Sequence, residues 1–275
     1  MNHKICTRCI LDTTAEGLTF NAEGVCHFCQ EFESVRLKLD ATVNSSENYF
    51  KELKSKLTSE AKGPYDAILG LSGGVDSSYV ALIAKRAGLN PLLVHFDNGW
   101  NSEISVSNIK KIVQKCGFDL QTYVIQWPEF RDLQRAFFKA SVLDIEMLTD
   151  HAIMAVLYQL SRKFKTRNVL SGNNLATEFG MPPTWSWNKR DYTNIRAIHQ
   201  KYGEIKLKTF PVLTTWKWLM IKRLGLGMKF IEVLNHIPYS KGAALEELTL
   251  KVRQPSAEML KHLAEVRAKS DDDPK

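Results

Sequence analysis

The segment from Asp66 to Gly88 constrains the fold more than any other part of the 275-residue sequence. DAILGL is a short apolar run, SGGVDSS follows it, and YVALIAKRAG carries helical periodicity up to Gly88. Strand, glycine loop and helix in that order form the layout of a phosphate site. Gly73 and Gly74 let backbone N–H groups come close to an anion. Ser72, Ser77 and Ser78 add hydroxyl donors, and the new helix directs the positive end of its dipole at the ligand. No GK[ST] follows, so this is not a Walker loop, and the spacing is not GxGxxG either.

Alternation continues downstream. PLLVHFDNGW reads as a strand ending at Asp97, Ser102 to Cys116 as a helix, QTYVIQW as a strand, Phe130 to Phe164 as a long helical region, and NVLSGNN as a further strand. This order predicts an α/β fold: a doubly wound, mostly parallel sheet with right-handed crossovers. Such a sheet places ligand contacts at the carboxyl ends of its strands, which marks Asp97 as a nucleotide contact.

The N-terminus carries a separate signal. Cys6 and Cys9 form one CxxC pair and Cys26 and Cys29 a second, with Gly17 and Gly24 between them to permit tight turns. This spacing suits four thiolates around one tetrahedral Zn²⁺. Four protein ligands leave no position for substrate, so the predicted zinc is structural, and His27 is a bystander. The fifth cysteine, Cys116, lies on a helix beside Ile109, Ile112 and Val113 and reads as a buried thiol.

Composition narrows the class. Hydrophobic residues make up 44% and charged residues 24%, enough for a packed core, which excludes a collagenous or disordered chain. Net charge is 37 − 30 = +7, which favours polyanionic partners without choosing among them. The first residues are polar, and no run reaches ~18 apolar residues, so a cytoplasmic protein without membrane insertion is expected. The expected organisation is a zinc knuckle over 1–35, a helical connector over 36–63, the nucleotide domain over 64–247, and a C-terminal helix and charged tail over 248–275.

The full SGGxDS pattern at Ser72-Gly73-Gly74-Val75-Asp76-Ser77 resembles the PP-loop ATP pyrophosphatases, an adenine-nucleotide alpha-hydrolase-like fold. That resemblance implies ATP with Mg²⁺, Asp76 as a Mg²⁺ contact, and Gly172 and Asn173 facing the nucleotide from the NVLSGNN strand. HFDNGWNSE, TDHAIMAVLY, SGNNLATE and IRAIHQKYGEIKLKTFP together look like the N-acetyl sugar amidotransferases of bacterial surface-polysaccharide biosynthesis. The resemblance spans about Cys6 to Glu247. It implies replacement of a sugar acetamido oxygen by nitrogen, giving an amidino sugar for lipopolysaccharide O-antigen or flagellin glycan. The acceptor would be a nucleotide-activated N-acetyl sugar, and ammonia would come from a separate glutaminase with a barrel-type synthase subunit.

Ammonia must be unprotonated when it attacks, kept so by a tunnel or by a base for which His151 and Glu178 are the candidates; the alternatives are a helix N-terminal or core histidine, the favoured reading of His151, and for Glu178 a helix N-terminal charge suited to the dipole. Lys208 in IKLKTFPVL is a candidate cation for the leaving pyrophosphate, with a solvated strand-edge lysine as the alternative. Trp185, Trp187 and Tyr192 offer stacking surfaces, and Lys189 and Arg190 suit a sugar carboxylate or phosphate. The alternatives are a tRNA thiolation enzyme, which calls for a reactive cysteine beside the loop, and a noncatalytic nucleotide-binding subunit. Nucleic acid is the less favoured partner.

Overall fold

The structure is a computed structural model and describes residues 3–42, 46–175, 178 and 182–251. In chain order the elements are α1 (His27–Thr42), α2 (Ser46–Glu60), β1 (Ile68–Gly70), α3 (Val75–Arg86), β2 (Leu92–Asp97), α4 (Glu103–Cys116), β3 (Leu120–Val124), α5 (Trp127–Lys139), α6 (Met147–Lys163), β4 (Asn168–Ser171), α7 (Tyr192–Tyr202), α8 (Thr215–Arg223), β5 (Lys229–Glu232) and α9 (Lys241–Lys251).

The five strands form one sheet in the order β3-β2-β1-β4-β5, with every pairing parallel. The central strands are apolar and buried on both faces, as a sheet covered by helices requires, whereas β3 alternates and β5 is largely exposed at the two edges. Strand order runs outward in opposite directions from β1. The crevice between the carboxyl ends of β1 and β4 is therefore the topological switch point.

Helix ends follow the sequence. Ser102 caps α4 by accepting from Ser105 N at 3.2 Å, and Gly117 ends it at φ +68, its N–H donating to the Val113 carbonyl at 2.8 Å. The long helical region expected over Phe130 to Phe164 is instead two helices, broken after Ala140 where Ser141 adopts φ +53. An unbroken helix of that length would run about 50 Å, longer than a single core can cover. Broken, α5 presents Phe130, Leu133 and Phe137 to Met147, Leu148 and Ala152 of α6.

α5 also anchors the chain that follows α7. Glu129 accepts the backbone N–H groups of Lys208, Thr209 and Phe210 at 3.0–3.1 Å, and Asp132 accepts those of Glu204 and Ile205 at 2.9 and 3.0 Å. Each carboxylate thus satisfies consecutive amides that have no strand to pair with. The segment 203–214 is consequently a strapped loop, not the strand edge that was the alternative reading of Lys208.

The expected connector is also more than a connector: α2 sends Leu53 and Leu57 into the main core beside Leu71, Val80 and Ile83. Ahead of it, the knuckle has its own small cluster of Cys6, Leu11 and Cys26 with Phe20 and Phe28 against it, and Arg8 pairs with Glu33 of α1 at 2.7 Å. α9 runs across the boundary expected at 247/248. The charged tail read after it, like Thr177 and Met181 in the segment after β4, lies outside the described residues. No described helix is long and apolar enough to cross a membrane.

Candidate functional site

At the switch point β1 delivers Leu71 and Ser72 into a tight loop. Ser72 and Ser77 close it from both ends: Ser72 N donates to Ser77 Oγ at 3.3 Å, the two hydroxyls lie 3.1 Å apart, and Gly74 N donates to Ser72 Oγ at 3.3 Å. Gly73 sits at φ +78. A Cβ there would lie 2.9 Å from the carbonyl carbon of Ser105 and closer still to its oxygen, so α4 can pack on the loop only because the residue is glycine. Asn108 of α4 donates to the Gly73 carbonyl at 3.1 Å. The next helix, α3, begins with no side-chain cap, which leaves its first amides available to an anion.

Gly172 performs the corresponding task from the other side. A Cβ on it would lie 2.9 Å from Ser77 N and 3.1 Å from the Asp76 carbonyl carbon, so the end of β4 touches the N-terminus of α3 directly. Between these walls opens a cleft of about 780 Å³, within the range of small-ligand sites. Ser72, Gly74, Asp76 and Ser77 line it, as do Gly172, Asn173 and Glu178. Lys189 and Arg190 line it too, so nine of the residues singled out in the sequence are brought together.

Four others stand elsewhere. Asp97 is absorbed by its own turn, where Oδ1 accepts from Gly99 N at 3.0 Å and Asn101 Nδ2 at 2.9 Å, and the cleft is lined by Asn98 and Asn101 in its place. Ser78 faces the small space behind the loop with Asn108 and Lys111. The Lys208 side chain is exposed on the strapped loop, away from the cleft lining. His151 is buried, with its Nδ1 2.9 Å from the Lys189 carbonyl and its Nε2 accepting from Leu213 N at 3.2 Å. Both ring nitrogens are thus occupied by backbone in the neutral tautomer, and burial lowers the ring's pKa. Such a ring holds two loops together and has no lone pair left for proton transfer.

Glu178 is placed differently. It lines the cleft, and burial first, then the negative charges of Asp76 and Glu232, push its pKa up, with Lys241 acting in opposition. A carboxyl shifted toward neutrality in a cleft is the property of an acid or base. Close carboxylates at Asp76 and Glu178 also supply the oxygen donors that a hard divalent cation takes, and a cation there would relieve their repulsion. Mg²⁺ therefore fits the residues present.

Two functional candidates escaped the sequence. Lys241 lines the cleft as the first residue of α9, an end where the helix dipole disfavours a cation, and that misplacement was a legible signal. Tyr239 donates a hydrogen bond from its phenol to Asp76 Oδ1, and nothing in its local sequence marks it. At the cleft rim Lys189 is paired with Asp144 and, at 3.1 Å, with Asp150, while the Arg190 guanidinium lies 4.6 Å over the ring of Trp218.

In the knuckle the four cysteine sulfurs lie within 4.8 Å of one another, with Cys6 to Cys29 at 4.0 Å and Cys9 to Cys26 at 3.7 Å. Tetrahedral zinc thiolates stand about 3.8 Å apart, so the set has the dimensions for one ion. Cys6 Sγ also accepts backbone N–H from Arg8 at 3.4 Å and Cys26 at 3.2 Å, while His27 is engaged by Thr19 N.

Compared with known proteins, residues 45–186, just over half the chain, match the family model described as NAD synthase. The chain belongs to the NAD synthase family. The matched span runs from α2 through the glycine loop, β4 and the Gly172 contact, and the NAD synthase family is a family of PP-loop ATP-utilising ligases with a parallel α/β sheet. The glutamine-dependent NAD(+) synthetase of Aquifex aeolicus (strain VF5) is 27% identical over 183 residues, which are 62% of this chain and 31% of that protein. The chain thus spans about a third of the length of that curated relative. Among solved structures, glutamine-dependent NAD+ synthetase from Acinetobacter baumannii with ADP shares 25% identity, covering 53% of this chain and 26% of that one, with a TM-score of 0.38. NH3-dependent NAD synthetase from Campylobacter jejuni shares 18% identity over 89% of this chain and 98% of that one, with a TM-score of 0.37. The similarity found is to NAD synthetases rather than to the sugar amidotransferases that the motifs resemble.

Proposed function

We propose that this NAD synthase family member is an ATP-dependent amidotransferase that adenylates the acetamido oxygen of a nucleotide-linked N-acetyl sugar and replaces it with ammonia-derived nitrogen. The observation that carries the activation step is the closed SGGVDS loop with the uncapped α3 N-terminus, opening on the switch-point cleft. The motifs quoted for the sugar family and the rim of Asn188, Lys189 and Arg190 support the acceptor.

In this reading the amide oxygen attacks the α-phosphorus of ATP and the bond to pyrophosphate breaks. Ammonia then adds to the imidate carbon, and AMP leaves carrying the original oxygen. Ser72, Gly74 and Ser77 with the α3 amides hold the phosphates, and Lys241 offsets charge on the departing pyrophosphate. Glu178, with its raised pKa, takes the proton that the attacking nitrogen must lose. A Mg²⁺ held by Asp76 would supply charge neutralisation at the phosphates.

Ammonia comes from a separate glutaminase with a barrel-type synthase subunit. Among the described residues the one cysteine outside the knuckle is Cys116, fully buried with its sulfur on the Ala81 carbonyl, and burial raises its pKa. That thiol is unsuited to glutamine hydrolysis and equally to tRNA thiolation. The knuckle holds a structural zinc and braces α1.

The test is pyrophosphate release from Mg-ATP with ammonium chloride and a nucleotide-linked diacetamido sugar, with mass spectrometry of the sugar. One oxygen replaced by NH is the expected result. Similarity to NAD synthetases supports a second acceptor, a precursor of NAD+. Turnover with that compound alone would overturn the sugar assignment, and ATP binding without release in either arm would indicate a noncatalytic subunit.

A further inference from the structure

Resting on the reading of the cleft as a Mg-ATP site, we propose that Tyr239 is the positioning residue for Asp76, holding its carboxylate in the orientation that binds the divalent cation of the nucleotide. Asp76 stands in the first turn of α3, where its side chain has freedom to turn along the helix or out to solvent. Tyr239 removes that freedom: its phenol donates to Oδ1, whereas Oδ2 accepts no hydrogen bond from the described residues. One oxygen is fixed and the other is left for a ligand.

The phenol is itself well supported. Its ring centroid lies 6.0 Å from that of Tyr79, one turn along α3, and it packs against the main core. The segment that carries it joins the 3-10 turn Val233–His236 to α9, so Tyr239 and the cleft residue Lys241 are delivered by the same short stretch of chain. Carboxylates that bind metals are generally oriented by such outer hydrogen-bond partners, and losing one typically weakens metal affinity about 10- to 100-fold.

Tyr239→Phe tests this because it keeps the ring against Tyr79 and deletes only the donor. Binding of ATP is measured by titration calorimetry with the full chain, once in excess Mg²⁺ and once in EDTA, for wild type, Tyr239→Phe and Asp76→Asn. Wild type is expected to gain affinity with Mg²⁺, Tyr239→Phe to lose at least about tenfold of the Mg²⁺-dependent affinity, and both to bind metal-free ATP equally. Asp76→Asn should abolish the Mg²⁺ gain. Equal Mg²⁺ gains in wild type and Tyr239→Phe would overturn the positioning role while leaving the nucleotide site standing. A parallel loss of metal-free binding would overturn it in favour of a packing role, and a wild type that binds no ATP in either condition would overturn the site and the inference together.

Discussion

Gly73→Ala is the sharpest perturbation of the phosphate loop, because two separable penalties meet at one residue. The first is conformational: an L-residue held at the φ of +78 observed there is disfavoured by roughly 1–2 kcal/mol. The second is steric, since the new Cβ would press on the Ser105 carbonyl, which belongs to helical backbone and cannot swing aside. Forcing extra volume into such a contact costs about 1–3 kcal/mol. The sum is about 2–5 kcal/mol, which for a chain of this size lowers Tm by roughly 5–15 °C. Three single variants isolate the parts. Gly117→Ala has φ +68 and nothing closer than Lys85 Nζ at 4.0 Å, so it carries the conformational penalty alone. Gly172→Ala has no positive φ but meets Ser77 N at 2.9 Å, so it carries the steric part alone, and Gly70→Ala meets nothing within 4 Å. Thermal unfolding followed by far-UV circular dichroism should rank Gly73→Ala lowest, Gly117→Ala and Gly172→Ala between, and Gly70→Ala level with wild type. A Gly73→Ala protein no less stable than Gly117→Ala would refute the claim that α4 packs against the loop.

His151 and the knuckle offer two further checks. His151→Phe strands the Lys189 carbonyl and the Leu213 N–H in a buried place, and should lose about 2–4 kcal/mol by urea unfolding. Because burial depresses the folded-state pKa of His151 below its ordinary 6.5, its contribution is fully present above that pH and is lost as the pH falls toward the folded value. Wild-type stability should therefore decline below about pH 6.5 more steeply than that of the variant, and parallel pH profiles would exclude a buried neutral imidazole. For the knuckle, elemental analysis of purified protein should find zinc in the wild type and none in Cys26→Ser, whose N-terminal segment should become protease-sensitive. Zinc retained by the variant would mean that the four thiols are not the ligand set.

The parts of this protein that were legible in the sequence are those encoded by neighbours in the chain. The glycine loop, the capped start of α4 and its glycine end, and the apolar strands β1, β2 and β4 depend on φ, on short-range hydrogen bonds and on periodicity, all of which act within a few residues. The grouping of the four cysteines was legible for the same reason, since two short turns suffice to bring them together. Edge strand β5, with only Ile231 of its four residues partly buried, lacked the apolar run that identified the others.

Tertiary structure decided which chemical groups meet. Tyr239 reaches Asp76 across 163 residues, and His151 is claimed by backbone groups 38 and 62 residues away. The residue types allowed His151 to be a base, but both of its ring nitrogens are taken by partners that only the folded chain brings within reach, whereas Asp97 is engaged through Oδ1 by its own local turn. Lys208 was the lysine singled out in the sequence, yet Lys241 is the one that lines the cleft. Carboxylates on α5 strap the first onto a distant loop through its backbone, while the crossover from β5 to α9 sets the second in the cleft. A side chain's chemistry is fixed by its type, whereas its availability depends on long-range closure, and no local pattern encodes that.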